Sequence, residues 1–295
     1  MVHGFPESWY SWRHQMAPLA AAGFTACAID VRGYGGSDKP HPVEAYAMRQ
    51  MAADVAGVIE ALSPGRPAVL AGHDWGAPIV YATSLLHPAR VRAVAGLSVP
   101  YAGQPPAPLN QLFKALFADQ GKFFYMNYFQ DEGVAEAELE ADVEATIRKM
   151  YFGASGDGFG WSTEEKRHGE PLLEGMDAPD PFPDWLSQAD IDYYVGEFSR
   201  SGFRGPLNRY RNFERDWADM NELASHVIGQ PSLFIAGARD LVLKMFGGED
   251  AAIARMAEQC SDFRGARIIP GAGHWTQQET PAETTGCLID WLATL

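Results

Sequence analysis

Between an apolar run, Pro67 to Ala71, and a helical pattern from Ala77 to Leu86 stand five residues, Gly72-His73-Asp74-Trp75-Gly76. No other feature narrows the fold of this chain as far. A residue at the centre of a sharp strand-to-helix turn is pushed out of the backbone, and crowding there demands very small residues two positions to either side. Gly72 and Gly76 fill those places. At the centre stands aspartate, where acyl-transfer enzymes carry serine. A carboxylate nucleophile attacks saturated, polarised carbon and leaves a covalent ester. Taken alone, the five residues are equally compatible with a turn whose Asp74 caps the next helix.

The rest of the chain breaks the tie. Up to Val99, β-like runs alternate with helical ones: Phe24 to Ile29, then Met48, Met51, Ala52, Val55, Val58, Ile59 and Leu62 at helical spacing, then Val91 to Leu97 as a strand. That rhythm implies a parallel, doubly wound sheet. It returns after the middle of the chain with a strand at Ser232 to Ala236, a helix at Glu249 to Gln259, a strand at Ala266 to Ile269 and a helix at Ala282 to Leu292. Asp240 follows the first of these strands and His274 the second. Nucleophile, acid and base in that order, each beyond the carboxyl end of a strand, are the arrangement of the α/β-hydrolase fold. In that fold the residue after His3-Gly4 and the residue after the nucleophile supply backbone N–H groups to an oxyanion hole, which here means Phe5 and Trp75.

Between Tyr101 and about Asp219 the rhythm changes. Helical patterns at Glu136 to Tyr151 and from Ile191 to Phe198 flank a Gly-, Asp- and Pro-rich loop, Gly153 to Pro183, and no strand is evident. The expected organisation is a hydrolase core of residues 1–102 and 220–295 with a helical cap, 103–219, inserted in it. Lys+Arg 23 against Asp+Glu 38 gives a net charge of −15, which repels phosphate backbones and excludes nucleic acid as a partner. Cys27, Cys260 and Cys287 are widely spaced, so neither a disulfide framework nor a zinc site is indicated and a reducing compartment, the cytoplasm, is expected. Long uncharged stretches are broken by Pro and Gly, as in Ala93 to Phe113, so no membrane span is expected.

Four segments together, His3-Gly4-Phe5-Pro6-Glu7-Ser8-Trp9, Asp30-Val31-Arg32-Gly33-Tyr34-Gly35, the elbow, and Gly273-His274-Trp275-Thr276-Gln277, resemble the α/β-hydrolase epoxide hydrolases. The hydrolase domain of the soluble epoxide hydrolases is the nearest match. The likeness continues through Tyr128-Phe129-Gln130, Gly133 to Glu140, and Gly202 to Asn208 with Tyr210-Arg211-Asn212, and so covers nearly the whole chain. It implies that two cap tyrosines, matching Tyr125 and Tyr210, hydrogen-bond the epoxide oxygen; Tyr128 is an alternative to Tyr125 on nearly the same helix face. Arg209 stands where close relatives usually carry an aromatic side chain. The family also implies two edge strands and most of a central strand, about 25 residues, ahead of the His-Gly turn. Only Met1 and Val2 precede His3, so the expectation is a start upstream of Met1 and a gap beside the nucleophile strand.

The activity implied is hydrolysis of an epoxide to a vicinal diol through an ester at Asp74, with no metal or organic cofactor. Expected partners are a small apolar epoxide and water, with a homodimer as the candidate assembly. Two competing readings are a haloalkane dehalogenase, which shares the Asp-His-Asp triad, and a non-catalytic ligand-binding hydrolase fold. Fluoroacetate dehalogenases fit less well because they place arginine where Trp75 stands.

Overall fold

The structure is a computed structural model that describes residues 1–158 and 166–295. Among the described residues four strands, β1 (Ala68–His73), β2 (Val91–Leu97), β3 (Ser232–Gly237) and β4 (Phe263–Ile269), form one parallel sheet in that order. Alternation along each strand sorts the side chains onto two faces. Leu70, Val94, Phe234 and Ala236 join one core cluster with Met51, Val55, Ile79 and Val80, whereas Ala71, Ala95, Leu233 and Ile235 join another with Trp12, Leu288 and Trp291. Helices therefore cover both faces, as a sheet built from crossovers requires.

Helix Met48–Leu62 buries Met48, Met51, Ala52, Val55 and Ile59, the stripe its spacing predicts, while Leu62 at its end is exposed. Helices Gly76–Leu86, Glu249–Gln259 and Pro281–Leu292 likewise occupy the expected stretches. Phe24 to Ile29 departs from expectation. Among the described residues it contributes a single bridge, Ile29 with Val2. Val2 bridges both Ile29 and Gly72, but that single residue is all that pairs with β1 on this side, so β1 is the edge of the four-stranded sheet and the expected gap lies beside it. An open groove runs alongside, lined by Val2, Ile29, Val55 and Ile79.

Every described element between β2 and β3 is helical, apart from one isolated bridge between Lys122 and Arg167. The single helix expected over Glu136 to Tyr151 is two, Val134–Ala141 and Val143–Ala154. Asp142 separates them in extended conformation and caps the second by accepting the Ala145 N–H, which is more favourable for aspartate than a helix interior. Residues 159–165 of the expected loop lie outside the described residues. Among the described residues no helix is long and apolar enough to cross a membrane.

Candidate active site

Register brings the site together. His73 pairs with Leu97, Leu97 with Ile235, and Gly237 with Ile269, so the four carboxyl ends lie along one edge of the sheet. Asp74 follows β1 directly, in left-handed conformation at φ +50°. A Cβ on Gly72 would stand 2.1 Å from the Gly76 carbonyl oxygen, and one on Gly76 would stand 2.1 Å from that of Val2. Neither position can carry a side chain, which is the crowding the elbow requires.

The Asp74 carboxylate does not cap the following helix, whose N-cap residue is Trp75 with no side-chain cap. Instead Oδ1 accepts the Phe5 N–H at 2.7 Å, and Oδ2 lies 3.4 Å from His274 Nε2. Gly4 makes this approach feasible, since a Cβ there would lie 2.2 Å from Oδ1. Across the imidazole, His274 Nδ1 lies 3.1 Å from Asp240 Oδ1, which also accepts the Val242 N–H at 2.9 Å. Asp74, Asp240 and His274 are thus one contiguous chain of contacts.

The charges in it reinforce one another. Burial opposes ionisation of Asp74, but the hydrogen bond and charge of His274, then the charge of His73 and the Phe5 N–H, outweigh it and hold the carboxyl below its usual range. Burial likewise opposes the His274 imidazolium, but Asp240 and then Asp74 override it and raise its pKa well above the ordinary value. Both directions favour an Asp74 carboxylate facing a His274 imidazolium.

Tyr125 and Tyr210 line the same cavity as Asp74 and His274, whose remaining wall is largely apolar: Phe5, Ala154, Leu241, Val242 and Trp275. Their rings meet at 6.1 Å between centroids. Burial first, and the Asp74 charge second, push both phenols well above their usual pKa, so both remain neutral. The Tyr128 phenol donates instead to Glu138 Oε2 at 2.8 Å, away from this cavity. Arg209 does not line it either. Its guanidinium stacks 4.9 Å from the Trp75 ring centre, pairs with Asp216 and donates to the Tyr46 carbonyl.

A buried polar network beneath the site was not anticipated from the sequence. Glu7 Oε2 accepts the Gly4 N–H at 2.9 Å and lies 2.7 Å from His73 Nδ1, while Oε1 accepts from Gln277 Nε2 at 2.8 Å. His73 Nε2 donates to the His274 carbonyl at 2.7 Å. One carboxylate therefore joins the oxyanion turn, the elbow and the loop of the base. Glu7 and His73 stand inside the recognised motifs, and that is the one sequence signal that could have marked them.

Comparison with known proteins agrees with this geometry. A family model described as α/β hydrolase fold matches residues 1–151. Epoxide hydrolase A of Mycobacterium tuberculosis is 44% identical over all of this chain and 90% of its own length. The bifunctional epoxide hydrolase 2 of Rattus norvegicus is 38% identical over the whole chain, which spans 51% of that protein. Among solved structures, an epoxide hydrolase from an endophytic Streptomyces superimposes with a TM-score of 0.92 at 44% identity, covering 99% of this chain and 87% of that one. With a parallel sheet, an aspartate on the elbow and relatives of this closeness along its full length, the chain belongs to the epoxide hydrolases of the α/β-hydrolase fold.

Proposed function

We propose that this protein hydrolyses epoxides to vicinal diols through an ester at Asp74. The observation that carries the reading is one cavity in which an ionised carboxylate on a strained elbow faces two phenols held neutral. An Asp74 oxygen bonds to a ring carbon as the carbon–oxygen bond of the epoxide breaks, and the nascent alkoxide takes a proton from Tyr125 or Tyr210. Alkylation removes the Asp74 charge, one of the two that hold the proton on His274. That proton restores the phenol through solvent and leaves a neutral imidazole, which is then a base.

Water deprotonated by His274 attacks the ester carbonyl carbon, with the Phe5 and Trp75 N–H groups holding the oxyanion and Asp240 orienting the imidazole. Collapse returns a proton to the departing diol, and the Asp74 acid proton returns to His274. Both phenols favour an oxygen leaving group over the halide of a dehalogenase, and the apolar wall favours an apolar epoxide. The reading makes 103–219 a lid over a core of 1–102 and 220–295, since it is the lid that supplies the phenols. Cytoplasmic residence and a homodimer are part of the proposal: the free cysteines Cys27, Cys260 and Cys287 support the first, and light scattering tests the second.

A single turnover with enzyme in excess in heavy-oxygen water tests the chemistry. The first diol should be mostly unlabelled, and the peptide containing Asp74 should gain the label. A fully labelled first diol with a light peptide would reduce Asp74 to a general base.

A further inference from the structure

β2 ends at Leu97, and the next residue, Ser98, is one of only two non-glycine residues with positive φ among those described; the other is Asp74. The Val99 N–H donates to the Leu97 carbonyl at 2.9 Å and closes a three-residue turn around Ser98 at φ +71°. This form of the turn is rare and strained, and strain of that kind persists where the surroundings impose it. Here they do: the Ser98 N–H donates to Ile235 in β3, and the Asp74 N–H donates to Leu97, so the peptide that enters the turn is tied to the elements on either side of β2. The side chain is fully buried, and its Oγ lies 2.8 Å from His274 Nδ1, nearer than the 3.1 Å of Asp240 Oδ1.

We infer that Ser98 is a positioning residue for His274, a second anchor on Nδ1 that keeps the imidazole aimed at Asp74 once the ester has formed. The inference rests on the proposed mechanism. In the resting site His274 is held from both sides, by Asp240 at Nδ1 and by Asp74 at Nε2. Alkylation removes the negative charge at Nε2, and the ring must then be held from Nδ1 alone while it takes a proton from water. A nitrogen bearing one hydrogen shares it between the Asp240 oxygen and the Ser98 oxygen, and two acceptors fix the ring plane where one permits it to swing. The requirement falls on the second half-reaction. The first needs no base and keeps both carboxylates in place until the ester is made.

The test separates hydroxyl from backbone. Ser98→Gly deletes the hydroxyl and relieves the strain, since glycine accepts positive φ freely, whereas Ser98→Ala deletes the hydroxyl and keeps the strain. With styrene oxide as probe, rapid-quench measurement should show ester hydrolysis slowed about 10-fold or more in both variants, the worth of a hydrogen bond to a charged group. Alkylation should stay within about threefold of wild type, and intact-mass analysis should find the ester accumulated. Hydrolysis at the wild-type rate in Ser98→Gly, or an equal loss in both half-reactions in both variants, would overturn the role of Ser98. Wild-type enzyme that consumes styrene oxide without an ester at Asp74 would overturn the mechanism beneath it, and the two failures are read from different proteins.

Discussion

Tyr210 and Tyr125 illustrate how burial makes an ordinary side chain useful. A phenol in an apolar cavity beside a carboxylate resists ionisation, so its proton is present at neutral pH and is released only to a base as strong as an alkoxide. Tyr210→Phe should therefore slow alkylation of Asp74 by about 10²-fold while leaving substrate affinity nearly unchanged, because the donor matters most once charge has reached oxygen. Tyr125→Phe should behave alike. Tyr128 is the internal control. Its hydroxyl is engaged by Glu138, so Tyr128→Phe should alter the alkylation rate by no more than about twofold. Stopped-flow measurement on the three variants checks the assignment, and a Tyr128→Phe variant as slow as the other two would move the donor role to it.

At the scale of elements, the helix Arg204–Tyr210 shows a residue in a role its neighbours in sequence did not announce. Arg209 is 1% exposed, and burial pulls its guanidinium down to about 9, with Tyr34 and Tyr210 opposing, so it is charged at neutral pH. It lies behind Trp75, paired with Asp216, rather than in the wall of the cavity. Removing the buried arginine leaves the half-buried Asp216 carboxylate without its partner. Arg209→Met should cost about 1–3 kcal/mol in urea denaturation, and adding Asp216→Asn should recover much of that loss. An equal or larger loss in the double variant would mean that the stacking on Trp75, and not the ion pair, carries the stability. The same contrast runs through the fold. The elbow glycines, β2 and the helix Met48–Leu62 were legible because sterics and periodicity are local. Asp240 and His274 were legible because chain order and strand ends locate them. Phe24 to Ile29 misled because a strand is defined by its partner, and the break at Asp142 because a cap competes with the apolar stripe on both sides. Ser98 carries no turn signature in Leu97-Ser98-Val99-Pro100. The Glu7, His73 and Gln277 network joins residues whose proximity only the folded sheet edge creates.

For the molecule as a whole, the site is a store of pH-dependent stability whose sign follows from the two directions of shift. His274 holds its proton to a higher pH in the folded protein than in the unfolded chain. Its contribution is therefore complete below the unfolded value of 6.5 and is lost as pH rises through the raised folded value. Asp74 is shifted the other way: its contribution is present above the unfolded value of 3.8 and is lost as pH falls through the depressed folded one. Between those limits each charge stabilises the other, and beyond the alkaline limit Asp74 remains a buried carboxylate without its imidazolium. Buried tyrosines such as Tyr210 and Tyr125 also lower stability at high pH, but they do so only as the unfolded phenols ionise near 10, and burial, the larger cause of their shift, acts with or without the Asp74 charge. Asp74→Asn separates the two effects. Scanning calorimetry should find wild type the more stable protein near pH 6, with the difference in Tm shrinking steadily as pH is raised, because the imidazolium that rewards the carboxylate is disappearing. A difference that stays constant from pH 6 to the alkaline limit would mean that His274 is neutral in the resting enzyme. The base would then be ready before the ester forms, and the transfer of its proton after alkylation would have no place in the cycle.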